Sequence, residues 1–262
     1  MRRQSNCRDD TRATVLTPVF AAGLTSIALG AAAVSAVAGI GGGTILIAVL
    51  LALGLAPLPA LALHAAVQLV SNLSRAVAYR RDIDWRHGGL CVLVALPLPF
   101  IVTPWLVALP AAGLQVALAL FVLLSLLPAP ARVARIGLPA RMIWGGVLKG
   151  ALGPVVGASG LLLAPFFYSA HWRKEQTVAT LAMVQAAGHT VKGIAYLLAG
   201  VSLGEAAAWF PPLALGVIAG TLLGRRLMGR VSPRMFTLLV RVILTVLGLR
   251  LLVDGLVGLG FV

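Results

Sequence analysis

The sequence predicts an all-α polytopic membrane protein of about eight full spans and two short helices, arranged as two inverted repeats. Three observations predict it. First, 60% of the 262 residues are hydrophobic and only 11% are charged, with a mean hydropathy of +1.01. Soluble domains are nearer half apolar and a quarter charged. Second, the apolar residues fall into long runs separated by short arginine-bearing loops. Third, the chain matches itself in register when slid by 117 residues.

The apolar runs justify each element in order. They cover Thr14 to Ala38, Thr44 to Gly54, Leu58 to Tyr79, Gly88 to Ala108 and Ala112 to Leu127. After a linker at 128–141 come Met142 to Val156, Leu161 to Ala170, Thr177 to Leu198, Trp209 to Leu227 and Met235 to Leu252. A crossing takes about 20 residues, so the runs from Thr44 and from Leu161 predict half-length or re-entrant helices. The domain reading follows: a polar tail at 1–13, a first repeat at 14–127, a cytoplasmic linker at 128–141 and a second repeat at 142–262. The first run follows Arg2, Arg3, Arg8 and Arg12, as in a signal peptide, but it exceeds the roughly 7–15 apolar residues of a signal. It is read as a retained span.

The self-match places Gln68, Asn72, Arg75, Ala78 and Tyr79 on Gln185, His189, Lys192, Ala195 and Tyr196. It also places Gly41-Gly42-Gly43 on Ala158-Ser159-Gly160. Five crossings per repeat would invert the halves. Loop charge agrees: Arg80, Arg81, Arg86, Arg132, Arg135, Arg141, Arg173, Lys174, Arg225, Arg226, Arg230 and Arg234 fall on one side, whereas the connectors around Ala56, Pro110, Ala158 and Glu205 carry no Lys or Arg. The positive-inside rule makes the arginine side cytoplasmic. The scheme conflicts with that rule at one place, because it leaves the basic N-terminal tail outside.

The net charge of +14 would suggest nucleic acid in a soluble protein. Here the basic residues flank spans, and no nucleic-acid partner is expected. Cys7 and Cys91 are the only cysteines, which supports neither a disulfide framework nor a thiolate metal site. No cofactor, metal or catalytic residue is expected.

The run Gly39-Ile40-Gly41-Gly42-Gly43 follows a span and opens a short helix, and Gly157 to Gly160 opens its counterpart. Matched breaks in two halves point to a binding site, where helix N-termini aim free N–H groups at an anion. Close packing through small residues is the plainer explanation. His64, Gln68, Asn72, Arg75 and Tyr79 share one helix face by their spacing of four, four, three and four. Gln185, His189, Lys192 and Tyr196 repeat the pattern. Such faces look inward, as a ligand cavity or as hydrogen bonds between helices.

The sign of the span charges decides between ligand classes. Lys149, Lys192 and Arg241 lie within runs and Arg75 near the end of one, while all seven acids lie in tails, loops or span ends. Cation binding would need intramembrane carboxylates. An anion is the simplest partner for buried cations. Ser159 in Gly-Ala-Ser-Gly with His189 downstream also suggests a rhomboid-like intramembrane serine protease, and a non-transporting assembly subunit is a third reading. The repeat explains Ser159 as a backbone turn and His189 as the counterpart of Asn72.

From Val15 to Leu252 the chain resembles the sulfite exporter TauE/SafE family of bacterial anion permeases. The two glycine runs and Asp84-Trp85 carry the resemblance; Pro165 fits the family pattern, and Ala48 departs from it at the matched position. The resemblance implies transport of sulfite, organosulfonates or related sulfur anions across the bacterial cytoplasmic (inner) membrane. The expected site is Gly41, Gly42, Gly43, Thr44, Gln68, Asn72, Arg75, Ser159, Gly160, Gln185, His189 and Lys192. Arg75 and Lys192 are expected to supply charge on opposite sides of its centre. The expected partners are the lipid bilayer, a small inorganic or organic sulfur anion and, at most, a second copy in a homodimer.

Overall fold

Eleven α-helices and no strand occur among the described residues of the computed structural model, which are 17–38, 42–124, 126–127, 133, 136–156, 160–167, 172–227 and 233–261. The helices are α1 (Pro18–Ala38), α2 (Gly42–Ala52), α3 (Pro57–Ala78), α4 (Trp85–Ala95), α5 (Leu98–Val107) and α6 (Ala111–Leu124). They continue as α7 (Leu138–Val156), α8 (Gly160–Phe167), α9 (Lys174–Leu198), α10 (Phe210–Leu227) and α11 (Pro233–Gly258).

Nine of the ten predicted runs each become one helix. The run Gly88 to Ala108 becomes two, α4 and α5, which meet at a 41° bend. Pro97 and Pro99 are the cause. Each removes a backbone donor, and each ring clashes with the carbonyl four residues back. The two short runs remain short, with 11 residues in α2 and 8 in α8.

Among the described residues, Pro18–Ala36 and Gly204–Gly224 are long and apolar enough to cross a bilayer alone, and the bent α4–α5 pair passes as a third. At 1.5 Å per residue, α3, α9 and α11 also exceed about 30 Å. Their polar residues lower the hydropathy. The outer surface is strongly apolar: Trp105, Leu197, Leu198, Leu215 and Val246 are among many large side chains left exposed. Soluble monomers rarely expose contiguous apolar surface on that scale, whereas hydrocarbon accepts it.

Four helix pairs build the bundle. The first, α1 on α10, is parallel, because Gly216, Gly220 and Gly224 successively abut Ala28, Ala32 and Ala36. A Cβ at Gly224 would stand 2.6 Å from both Ala33 O and Ala36 Cβ. Small residues four apart on both helices are what let two backbones approach this closely. Also parallel is α7 on α4, with Gly146 beside Cys91 and Val94, and Gly150 beside Ala95 and Leu98. The other two pairs, α6 with α11 and α3 with α9, are antiparallel.

Polar contacts fix the ends. Asp84 caps α4, accepting the His87 backbone N–H at 3.0 Å, and its Oδ2 lies 2.8 Å from His87 Nδ1. The Trp172 indole donates to the same oxygen at 3.2 Å, the Asp84 N–H donates to Thr180 Oγ1 at 2.9 Å, and Arg173 pairs with Asp82 at 2.8 Å. The Arg80–Arg86 loop and the start of α9 therefore share one end of the bundle. At the other end Phe20, Leu55, Val201, Leu203 and Trp209 pack together, with the Phe20 and Trp209 rings 5.0 Å apart. Thus α1 starts at the end opposite the Arg80–Arg86 loop.

Candidate functional site

The predicted polar stripe on α3 is an interior face: His64, Gln68, Asn72 and Arg75 are all buried. So are Gln185, His189, Lys192 and Tyr196 on α9. Because the helices run antiparallel, the stripes meet in the middle. The His64 and His189 rings pack edge to face, 5.8 Å between centroids, which puts Gln68 level with Gln185.

Both short helices begin at this crossing. His64 Nε2 lies 2.9 Å from the Gly43 carbonyl in the first turn of α2. A carbonyl only accepts, so Nε2 carries the hydrogen. A Cβ at Gly42 would collide with Ala31 O and lie 2.7 Å from Ser35 Cβ, so only glycine lets α2 start this close to α1. Thr44 follows, buried. On the other side, a Cβ at Gly160 would stand 2.9 Å from Gln185 Nε2, so the Gln185 amide lies against the start of α8. The N-terminal ends of α2 and α8 carry free N–H groups and the positive ends of their dipoles.

Two amines complete the cluster. Lys149 of α7 donates to Gln185 Oε1 at 2.8 Å. Lys192 Nζ sits 5.6 Å from the centroid of the Tyr196 ring, within cation–π range, and the Tyr196 hydroxyl donates to the Pro154 carbonyl at 2.6 Å. Both amines are close enough to each histidine, and to one another, to interact through charge. The Nδ1 atoms of His64 and His189 are buried with no hydrogen-bond partner.

The expected residues are not all gathered here. Gln185, His189, Lys192, Gly43 and Gly160 converge, with Gln68 level with them. The Asn72 amide instead turns back on its own helix and donates to Gln68 O at 2.8 Å. Arg75 and Lys192 do lie toward opposite ends of the α3–α9 pair, but Arg75 leaves the cluster and donates to Ser35 Oγ on α1 at 3.1 Å. Gly41 and Ser159 lie outside the described residues.

His64 and Lys149 belong to the cluster without having been among the expected site residues. The stripe spacing already marked His64. Lys149 was visible as a lysine inside a run, but only packing assigns its neighbours. Arg241 lies within α11 as expected, but unlike Lys149 and Lys192 it is exposed. The buried cations are Arg75, Arg141, Lys149 and Lys192, and no acid is buried among the described residues. Nor do these residues hold a group of three or more His, Cys, Asp or Glu able to bind a metal.

The family model for the sulfite exporter TauE/SafE matches residues 24–251, so the chain belongs to that family of membrane transporters. No curated protein and no solved structure matches the chain.

Proposed function

We propose that this member of the sulfite exporter TauE/SafE family is a secondary permease for sulfite or a small organosulfonate in the bacterial cytoplasmic membrane. One observation carries the reading. Lys149, Lys192, His64 and His189 form a buried basic cluster between two helix N-termini, and no carboxylate is buried among the described residues. Basic groups gathered this closely repel one another when charged, and a bound anion offsets that repulsion. Sulfite and sulfonate oxygens accept hydrogen bonds, and the cluster supplies donors: the Gln185 amide, the two amines and the first-turn N–H groups of α2 and α8.

The transport geometry follows from the pairing of helices. Halves related by a two-fold axis in the membrane plane must exchange α1 with α7 and α10 with α4–α5, and must pair α3 with α9 and α6 with α11 antiparallel. The contacts have that pattern, which supports inverted repeats at 14–127 and 142–262 with about eight spans and two half-length helices. Rocking one half against the other would open the His64–His189 crossing to each side in turn.

The test is flux into proteoliposomes of sulfite, an organosulfonate, sulfate, chloride and sodium. Sulfite or sulfonate uptake is expected, reduced at least tenfold by Lys192→Gln. Sodium flux with no anion flux would overturn the reading.

A further inference from the structure

Arg75 lines a cavity of its own. By helical rise it lies roughly 16 Å along α3 from His64, in the last turn before Arg80 and Arg81. The cavity lies between α1, α3 and α10, has a volume of about 50 Å³, and is lined by Ala36, Ser74, Arg75, Tyr79, Thr221 and Leu222. One water needs about 10–15 Å³ on this measure, so the space suits roughly four non-hydrogen atoms. A sulfite-sized oxyanion has four.

The lining asks for negative charge. Arg75 is 4% exposed and Thr221 6%, and both line an otherwise mostly apolar wall. Beyond the Ser35 bond, Arg75 Nε has no hydrogen-bond partner, and neither has Thr221 Oγ1. None of the ion pairs among the described residues includes Arg75. A guanidinium cannot shed its proton in a protein, so burial leaves a fixed cation without a counter-ion among the described residues. Arginine also presents donors in a planar fork that matches an oxyanion edge.

We infer that the α1–α3–α10 cavity is a second oxyanion site, separate from the His64–His189 cluster, in which Arg75 and Thr221 hold a small oxyanion at the arginine-loop end. Two sources share this chemistry. A soluble sulfite-class ion would use the cavity as a station between the central cluster and the arginine side, and that identity rests on the transport reading. A lipid headgroup phosphate would reach it past Ile218 and Leu222, which are exposed on the outer wall.

The experiment measures equilibrium binding of radiolabelled sulfite to the full chain in detergent, and retention of phosphatidylglycerol against phosphatidylcholine by the purified protein. For a soluble ion, the wild type binds two sulfites. Arg75→Gln then removes one, or weakens it at least tenfold, while Lys192→Gln removes the other. Thr221→Val, which keeps shape and charge, weakens the Arg75-dependent ion several-fold. Arg75-dependent retention of phosphatidylglycerol without sulfite competition would assign the same site to a headgroup phosphate. If Arg75→Gln elutes as a single folded species and binds both probes like the wild type, the site is refuted. If that variant fails to fold, Thr221→Val with unchanged binding of both probes refutes it instead. Loss of only the Lys192-dependent ion from the expected pattern would count against the transport reading and leave the cavity standing.

Discussion

Gly188 offers a way to displace Lys149 without deleting its charge. A Cβ at this position would collide with Lys149 Cε and lie 3.1 Å from Nζ. The obstacle is a flexible side chain rather than backbone, so α9 accepts the methyl group. Alanine is favoured over glycine by up to about 1 kcal/mol in a helix interior. That preference offsets part of the cost of moving the lysine, so Gly188→Ala should lower thermal stability in detergent only slightly. Lys149, however, must swing away from Gln185, with which it forms a 2.8 Å hydrogen bond. The displaced amine also withdraws its charge-assisted hydrogen bond from the bound anion, about 1.5–3 kcal/mol, and each 1.4 kcal/mol is roughly tenfold. Sulfite uptake at subsaturating concentration should fall roughly 10- to 150-fold. Gly193→Ala on the same helix is the control, because nothing lies within 4 Å of its Cβ position, and it should be neutral. Wild-type uptake by a folded Gly188→Ala protein would refute the placement of Lys149 at the anion.

Two further outcomes follow from packing at the parallel α1–α10 pair and at the arginine end of the bundle. Gly220→Leu drives a side chain into Leu29 O and Ala32 Cβ, where only backbone and short side chains could yield. It should cost at least the 1–3 kcal/mol typical of overpacking, read as a lowered melting temperature and reduced monodisperse yield. At Asp84, burial pushes the carboxyl pKa up, but the hydrogen bonds from the His87 backbone, the His87 ring and Trp172 outweigh it and hold it below its usual value. A carboxyl depressed in the folded state adds stability above its unfolded pKa, and loses it as pH falls through the folded one. Wild-type melting should thus decline below about pH 4, and Asp84→Ala should be destabilised by about 1 kcal/mol near neutrality with a flatter acid limb.

The sequence made the helices legible because each apolar run is an independent statement about burial in hydrocarbon. Only the run through Pro97 and Pro99 was misread as one element. Hydropathy averages over a window, while a missing donor acts at one bond. The stripes on α3 and α9 were legible for a similar reason, since a spacing of three and four fixes which residues share a face whatever that face meets.

What the face meets is another matter, and it separates Arg75 from Lys192. The self-match made them equivalents, and both are buried cations in the fold. Yet each packs against the first helix of its own half. For Arg75 that helix offers Ser35 and a cavity; for Lys192 it offers Lys149 and the wall of the histidine cluster. Gly188 and Gly160 show the same limit, because the reason for each glycine is a side chain far away in the chain.

By itself, then, the sequence determined that this protein is helical, belongs in a membrane and carries positive charge within its apolar helices. Composition, period and sign are properties of single segments. Tertiary structure alone decided that the two short helices start against His64 and Gln185, that Lys149 joins Lys192 there, that Arg241 faces outward and that Arg75 has a cavity to itself. Those are relations between segments, set by how closely glycines let helices approach and how they rotate once packed.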